Sequence, residues 1–384
     1  MAGPIAHMRL PGMRGRRHLV TRVVLALVTT FVFIVGWSLG HALTAPGGGT
    51  MSERVAEWAR THYLGPLVTL GEWLTYNPPK KGGKPNTNFA KDGGKVVQKK
   101  KHYHGFVPII PASLAPMAGH RLPGEGIWRE VETVDGQPAM FKTYLRFSAV
   151  YSSYYAGVVS MDQRLLKFSL RPGTEDPGAG NWGYPDYIPP GRRLGLMATF
   201  NSGFRVYNSG GGLYMNGRYD GSLVTGAASE VYFRNGHLAI GNWGSGRLHM
   251  GPDIAAVRQN LHLIVINGQV PTAVNQNVLS NWGATLGGGY YVWRSGIGIT
   301  RDGRIIYVYG PALNVQELAS LLKRSGCVTA MELDINPDWM SFMYYLAKSR
   351  PAEPTPVNLI SSQIQPPDRY YFPANRDFTA VFAK

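Results

Sequence analysis

The chain has 384 residues, 44% of them hydrophobic and only 16% charged, so it is long enough for one large or two ordinary domains with a real core. Its net charge of +16 is uneven: +5 over residues 1–22, −1 over 23–76, +7 over 77–105 and +5 over 106–384. The basicity lies in a tail and a linker, and the body shows no nucleic-acid-binding signature, which argues against a nucleic-acid partner. The single cysteine, Cys327, excludes an intrachain disulfide, and its apolar surroundings suit a small core residue.

The first element is Val23–Leu43, which lacks Asp, Glu, Lys and Arg. Twenty-one residues at 1.5 Å each span about 31 Å, the thickness of a hydrocarbon core. Arg9, Arg14, Arg16, Arg17 and Arg22 precede it and the following flank is balanced. The positive-inside rule then predicts a cytoplasmic basic tail (1–22), a single-pass transmembrane anchor (23–43) and an extracytoplasmic C-terminal body. A cleaved signal peptide with a cut after Ala45 is the rival reading; the length of the apolar run favours an uncleaved anchor.

Residues 44–76 read as a juxtamembrane helix, with Val55, Trp58, Ala59 and His62 on one face. Trp58, Tyr63 and Trp73 suit a membrane interface, and a helix packed on the body fits the same pattern. Residues 77–105 carry eight lysines among Pro and Gly. This predicts a disordered basic linker, which either is simply solvated or touches anionic lipid or anionic wall polymer. His102 and His104 alone are too few to assign a metal site.

The body, 106–384, consists of short apolar runs separated by Gly, Asn and Pro. "RNG" (234–236) and "RDG" (301–303) predict hairpin turns. "NVQELASLLKRSG" predicts a helix capped by Asn314 and ended by Gly326. Many strands and one clear helix indicate an α+β fold with a mainly antiparallel sheet. Tyr144–Tyr155 is aromatic-rich and reads as a strand without an assigned role. "NWG" recurs at 181, 242 and 281; each Trp is either a packing cap or a platform for a sugar ring.

"VTAMELDI" (328–335) ends in two carboxylates. Strand alternation sets Glu332 and Asp334 on one face, their Cα atoms roughly 6.7 Å apart. That separation is compatible with the acid and base of glycoside cleavage, and also with a solvated strand end. Asp334, Asn336 and Asp338 match the start of a calcium loop. Trp339 and Tyr345 stand where it needs Gly and Glu, so an EF-hand is excluded and an irregular Ca²⁺ or Mg²⁺ site stays open.

Taken together, "FNSGFR" (Phe200–Arg205), "RSGIGITRDGRI" (Arg294–Ile305), Glu317-Leu318-Ala319 and Leu333-Asp334-Ile335-Asn336-Pro337-Asp338 resemble the phosphodiester glycosidase family, in its order and rough spacing over about residues 128–345. Where the family has Asn-Gly-Gly-Phe-Phe, this chain has Ser202 for the first Gly and Arg205 for the second Phe. Where the family closes in Leu-Asp-Gly-Gly-Gly-Ser, Ile335 and Pro337 stand in place of glycines. The resemblance implies a pocket lined by Asn201, Arg294 and Asp334, and no organic cofactor. Arg294 would grip a phosphate oxygen, or else form a structural ion pair. Asp334 would assist departure of the sugar or activate water. Asn201 would orient a hydroxyl, or serve as a turn residue. Arg205 and Asn336 would hold phosphate and sugar with side chains, where the family's glycines offer backbone N–H groups. Gly203, Gly296 and Gly298 would admit a close backbone approach, or serve turn and sheet packing. Glu317 is expected to be structural, on the exposed side of its helix.

The expectation is a membrane-anchored, extracytoplasmic hydrolase acting on a sugar phosphodiester of a cell-envelope glycan. Two rivals are a non-catalytic module for an anionic envelope polysaccharide and a structural envelope protein.

Overall fold

The computed structural model describes residues 13–44, 50–91, 94–96, 107–275, 282, 291–347 and 351–384. Residues 1–12 of the basic tail, Lys99–Lys101, His102, His104, Asn281 and Gly283 lie outside the described residues. The chain divides into two compact units: Met1–Pro46 with Thr50–Val68, and Gly47–Gly49 with Thr69–Lys384.

In the first unit, helix Met13–Thr44 contains the apolar stretch His18–Thr44, long enough to cross a membrane. A signal sequence would meet the same criteria. The expected single juxtamembrane helix is two, Met51–Thr61 and Gly65–Thr75, separated where Tyr63 takes a positive φ of 63°. Thr50 and Glu53 close a capping box at the start of Met51–Thr61. The expected apolar face is corrected: Ala59 is buried together with Glu53 and Glu57, and Val55 is exposed. Trp58 stacks on His62 and donates through Nε1 to Ser38 Oγ at 3.0 Å, so its polar edge is held by the long helix.

Among its described residues the second unit holds three sheets, and every ladder between named strands is antiparallel. The largest runs Lys95–Val96, Arg129–Val134, Gln137–Leu145, Ala156–Met161, Ile305–Leu313, Val292–Thr300, Cys327–Glu332, Leu263–Val265. The second runs Leu238–Asn242, Ala228–Phe233, Ile254–Gln259, Leu213–Met215, Arg218–Asp220. The third runs Thr355–Asn358, Phe342–Leu346, Leu196–Asn201, Phe378–Ala383, Leu166–Arg171.

Period-two alternation divides the large sheet between two cores. Ile306 and Val308 pack with Leu318, Leu321 and Leu322 of helix Val315–Arg324. Ile305, Tyr307 and Tyr309 face the other way, with Phe200 and Phe342 of the third sheet and Leu238 and Ile240 of the second. The helix starts as expected, with Asn314 in a capping box with Glu317. Glu317 is not on an open face but half-buried, because its carboxylate reaches back to the Asn314 N–H at 3.0 Å. Gly236 and Gly303 take the positive φ that the two expected hairpin turns need.

Residues 77–91 depart from the expected disordered linker. Phe89 is 2% exposed and stacks on Tyr144 at 5.8 Å and edge-on to Tyr155 at 5.2 Å. Gly82 N donates to Val150 O at 2.7 Å, and Lys95–Val96 pairs with Glu130 and Arg129. Burying one Phe is worth about 1.5–3 kcal/mol, enough to anchor a polar segment whose average composition predicts disorder. The packed body therefore begins before residue 106. The aromatic stretch 144–155 also gains a role: only Tyr144 and Leu145 are strand, and Tyr144 and Tyr155 form the socket for Phe89.

All three NWG tryptophans, Trp182, Trp243 and Trp282, are buried, so they cap packing and present no ring for a sugar.

Candidate active site

Ends of all three sheets meet around the polar run after Cys327–Glu332. Strand Leu196–Asn201 delivers Asn201 and the Ser202–Arg205 loop, Ile254–Gln259 delivers Arg258, and the approach to Phe378–Ala383 delivers Arg376 and Asp377.

Asp334 is 3% exposed. Its Oδ1 accepts from Ile335 N at 2.7 Å and Asn336 N at 2.9 Å, which turns the chain sharply out of the strand. Oδ2 accepts no hydrogen bond among the described residues. Burial pushes the carboxyl up to about 6, against the opposing pull of Arg376, the two backbone N–H groups and Arg258.

Two bridges hold this turn to the Asn201 loop. Asn260 Nδ2 donates to Glu332 O (2.9 Å) and Leu333 O (2.8 Å), while its Oδ1 accepts from Phe204 N at 3.0 Å. A Cβ on Gly203 would stand 2.8 Å from the Asn260 side chain, so the loop approaches this closely only with glycine there. Asn201 Nδ2 donates to Ser295 Oγ at 3.1 Å, and Ser295 is bonded to Asp334 through its backbone and its hydroxyl.

Arginines surround the turn. Arg376 donates to Gly203 O at 3.3 Å, lies 3.2 Å from Asp176 Oδ2 and covers the Trp339 ring at 5.4 Å. Arg258, fully buried, pairs with Asp377 at 2.8 Å and with Phe204 O. Arg205 lies 3.9 Å from Glu175 and 5.7 Å from the Tyr207 ring. Burial and then Arg376 lower its pKa to about 10, while Asp334 acts in the opposite direction. Arg205 and Arg376, each 9% exposed, retain a little solvent contact, whereas Arg258 and Glu332 are fully enclosed.

The expected site residues divide accordingly. Asp334, Gly203 and Arg205 come together; Asn201 is present as a brace, its amide bonded to Ser202 O, Ser295, Tyr307 and Ser341 and so committed internally. Arg294 follows its structural alternative: it is buried against Glu332, and donates to Leu313 O at 3.0 Å and Trp282 O at 3.2 Å. Glu332 is fully buried in that pair, its carboxyl raised by burial and drawn down by Arg294. Gly298 serves sheet packing, since a Cβ there would stand 2.6 Å from Cys327 Sγ. Gly296 lies beneath Leu318 and Leu322 of the helix in the same way. Asn336 Oδ1 accepts from Asp338 N at 2.9 Å, so Asp334 and Asn336 each close a local turn. Among the described residues no group of three or more His, Cys, Asp or Glu is placed to hold a metal ion.

Sequence reasoning missed Arg258, Arg376, Asp176, Asp377, Asn260 and Ser295. Ser295 sits inside the RSGIGI stretch but was not singled out; no motif marks the other five, which meet their partners only across distant parts of the chain.

With this geometry in place, comparison with known proteins shows what the segment that carries it is similar to. Residues 195–334 match the phosphodiester glycosidase family. The matched segment, about a third of the chain, runs from the strand before Asn201 to Asp334. No curated protein matches the chain. Among solved structures, the zebrafish N-acetylglucosamine-1-phosphodiester alpha-N-acetylglucosaminidase catalytic domain, auto-inhibited by its pro-peptide, is similar at 11% identity. It covers 67% of this chain and 87% of its own, with a TM-score of 0.40. A hypothetical protein from Synechocystis is similar at 13% identity, over 66% of this chain and 64% of its own, with a TM-score of 0.36. At these scores neither likeness bears on the chemistry.

Proposed function

We propose that this protein hydrolyses a sugar phosphodiester, with Asp334 as general base and Arg205 and Arg376 as the anion-binding pair. The observation that carries the reading is the convergence of the Asn201–Arg205 loop, Arg376 and Asp334 inside the segment matching the phosphodiester glycosidase family. Water adds its oxygen to the anomeric carbon as the bond from that carbon to the phosphate oxygen breaks. The water proton passes to Asp334 Oδ2 and then to the departing phosphate monoester. A diester carries one negative charge and the departing monoester approaches two, so arginines favour the charge that develops during cleavage. A carboxyl near pH 6 is poised to take and return a proton at neutral pH. Glu332, Arg294, Asn201, Ser295 and Asn260 act as positioning residues. Gly203 keeps the loop close to Asp334, and Asn336 shapes the turn that aims it.

The cell-envelope glycan substrate and the outward-facing, membrane-anchored body belong to the same proposal. They are supported by the apolar helix His18–Thr44 and the arginines before it. An irregular Ca²⁺ or Mg²⁺ at Asp334, Asn336 and Asp338 is not needed in this scheme. A binding module without turnover would use the same arginines, and the replacement of the closing glycines by Ile335 and Pro337 favours it.

Incubation of the full-length protein with an N-acetylglucosamine-1-phosphodiester and related diesters in ¹⁸O-water tests the chemistry. Label in the released sugar is the expected result. Label in the phosphate would mean cleavage at phosphorus and would refute the scheme, and binding without release would establish the non-catalytic module.

A further inference from the structure

A second basic cleft lies away from Asp334. It has a volume of about 450 Å³ and opens between strand Leu166–Arg171 and the hairpin turn Arg234–Gly236. Phe168 N donates to Gly236 O at 2.8 Å, fixing one wall against the other. Lys167, Arg171, Arg192 and Arg234 line the cleft, with Tyr184 and Asn216, and no Asp or Glu does.

Arg171 is the unusual member. It is 8% exposed, and its Nε is buried without a hydrogen-bond partner. No ion pair involving it occurs among the described residues. Its guanidinium lies 4.0 Å from the centre of the Tyr184 ring and 5.6 Å from that of Phe382, so it is held flat by aromatic faces. Burial pulls its pKa down to about 10; Tyr184 opposes this, and the nearby Arg192 adds a smaller lowering effect. A buried cation without a counter-charge is costly, and each buried arginine of the Asp334 region has a carboxylate within 4 Å. What Arg171 lacks is an anion, and the cleft gives one room to reach it.

We propose that this cleft is a second, non-catalytic site that binds a multiply charged oxyanion, with Arg171 as its buried anchor and Lys167, Arg192 and Arg234 as its rim. A guanidinium presents paired N–H donors that match two phosphate or carboxylate oxygens. The exposed rim cations raise the local concentration of an anion and make binding salt-dependent. The ligand is either a small phosphate compound or the phosphate or carboxylate groups of an anionic polysaccharide. The inference does not rest on the hydrolase reading.

Calorimetric titration of the full-length protein in detergent tests it, with inorganic pyrophosphate, a glycerol-phosphate polymer, polygalacturonate and neutral dextran as ligands. The expected result is binding of at least one anionic ligand and none of dextran. Arg171→Gln should weaken that binding by at least about tenfold. The rim variant R192E/R234E, with both changes at exposed positions, should weaken it and flatten its salt dependence, and decides the matter if Arg171→Gln does not fold. Arg205→Gln, which removes an anion-binding arginine beside Asp334, should leave this binding at parent strength, which separates this cleft from the candidate active site. Tighter binding of a polymer than of pyrophosphate would identify an anionic glycan as ligand; the reverse would identify a small phosphate. Absence of anion binding, or binding unchanged in both variants, would overturn the proposal.

Discussion

Ser295 and Asp334 are bonded to each other three times. Ser295 N donates to Asp334 O at 2.9 Å, Ser295 Oγ donates to the same carbonyl at 3.3 Å, and Asp334 N donates to Ser295 Oγ at 3.1 Å. The hydroxyl also receives Asn201 Nδ2 at 3.1 Å. One buried serine thus fixes the backbone on which the proposed base sits, and ties it to the loop that carries Gly203 and Arg205.

Ser295→Ala should therefore act on both stability and turnover. Leaving buried polar groups unsatisfied costs about 1–3 kcal/mol, readable as a lowered urea midpoint with an unchanged slope. Sugar release should fall mainly in kcat, because the serine positions Asp334 and does not meet the diester. A change confined to KM would assign Ser295 to substrate contact instead.

The Arg294–Glu332 pair makes an opposite forecast. If it is structural, Glu332→Gln or Arg294→Met alone strands a buried charge and destabilises by about 3–5 kcal/mol. The double variant R294M/E332L, with no charge left to strand, should recover much of that loss in urea denaturation. A fully folded Arg294→Met protein that fails only to bind diester would restore the phosphate-gripping role suggested by the family resemblance.

Glu230 offers a pH test of the core. It is fully buried, bonded by the Tyr232 hydroxyl at 3.1 Å, and burial pushes its carboxyl up to about 8 from an ordinary 4.5. Between these values the folded state holds a proton that the unfolded state releases. This group's contribution therefore favours the fold most below about pH 4.5 and is lost as pH rises through 8. Glu230→Gln should raise the melting temperature relative to the parent at pH 9 and make little difference at pH 4. Equal shifts at both pH values would show that Glu230 does not carry the proton.

The rate should follow the Asp334 carboxyl. A general base works deprotonated, so kcat/KM for sugar release should climb from pH 5 and level off above about 6, where the carboxyl titrates. A profile that falls over that interval would make Asp334 an acid.

What could be read from the chain was local. The helix opened by Asn314, the turns at Gly236 and Gly303, and the alternation around Ile306 each depend on neighbours a few residues away. Asp334 and Gly203 were legible because the family motifs enclose them. Arg376 and Arg258 were not, since Arg376 meets Gly203 across 173 residues and Arg258 meets Asp377 across 119. Phe89 was hidden for a related reason. Its lysine-rich surroundings dominate the composition, while its socket is formed by Tyr144 and Tyr155 more than fifty residues later. Which of the two readings of Arg294 holds was not legible, because a motif names a residue type without saying which way its guanidinium turns; here it turns to Glu332.

The most direct test compares sugar release from an N-acetylglucosamine-1-phosphodiester by the full-length parent and by Asp334→Asn, with folding of both verified by thermal melting. Removing a general base should lower turnover by about 10²–10⁴-fold while diester binding persists through Arg205 and Arg376. Release by Asp334→Asn at the parent rate would contradict the account.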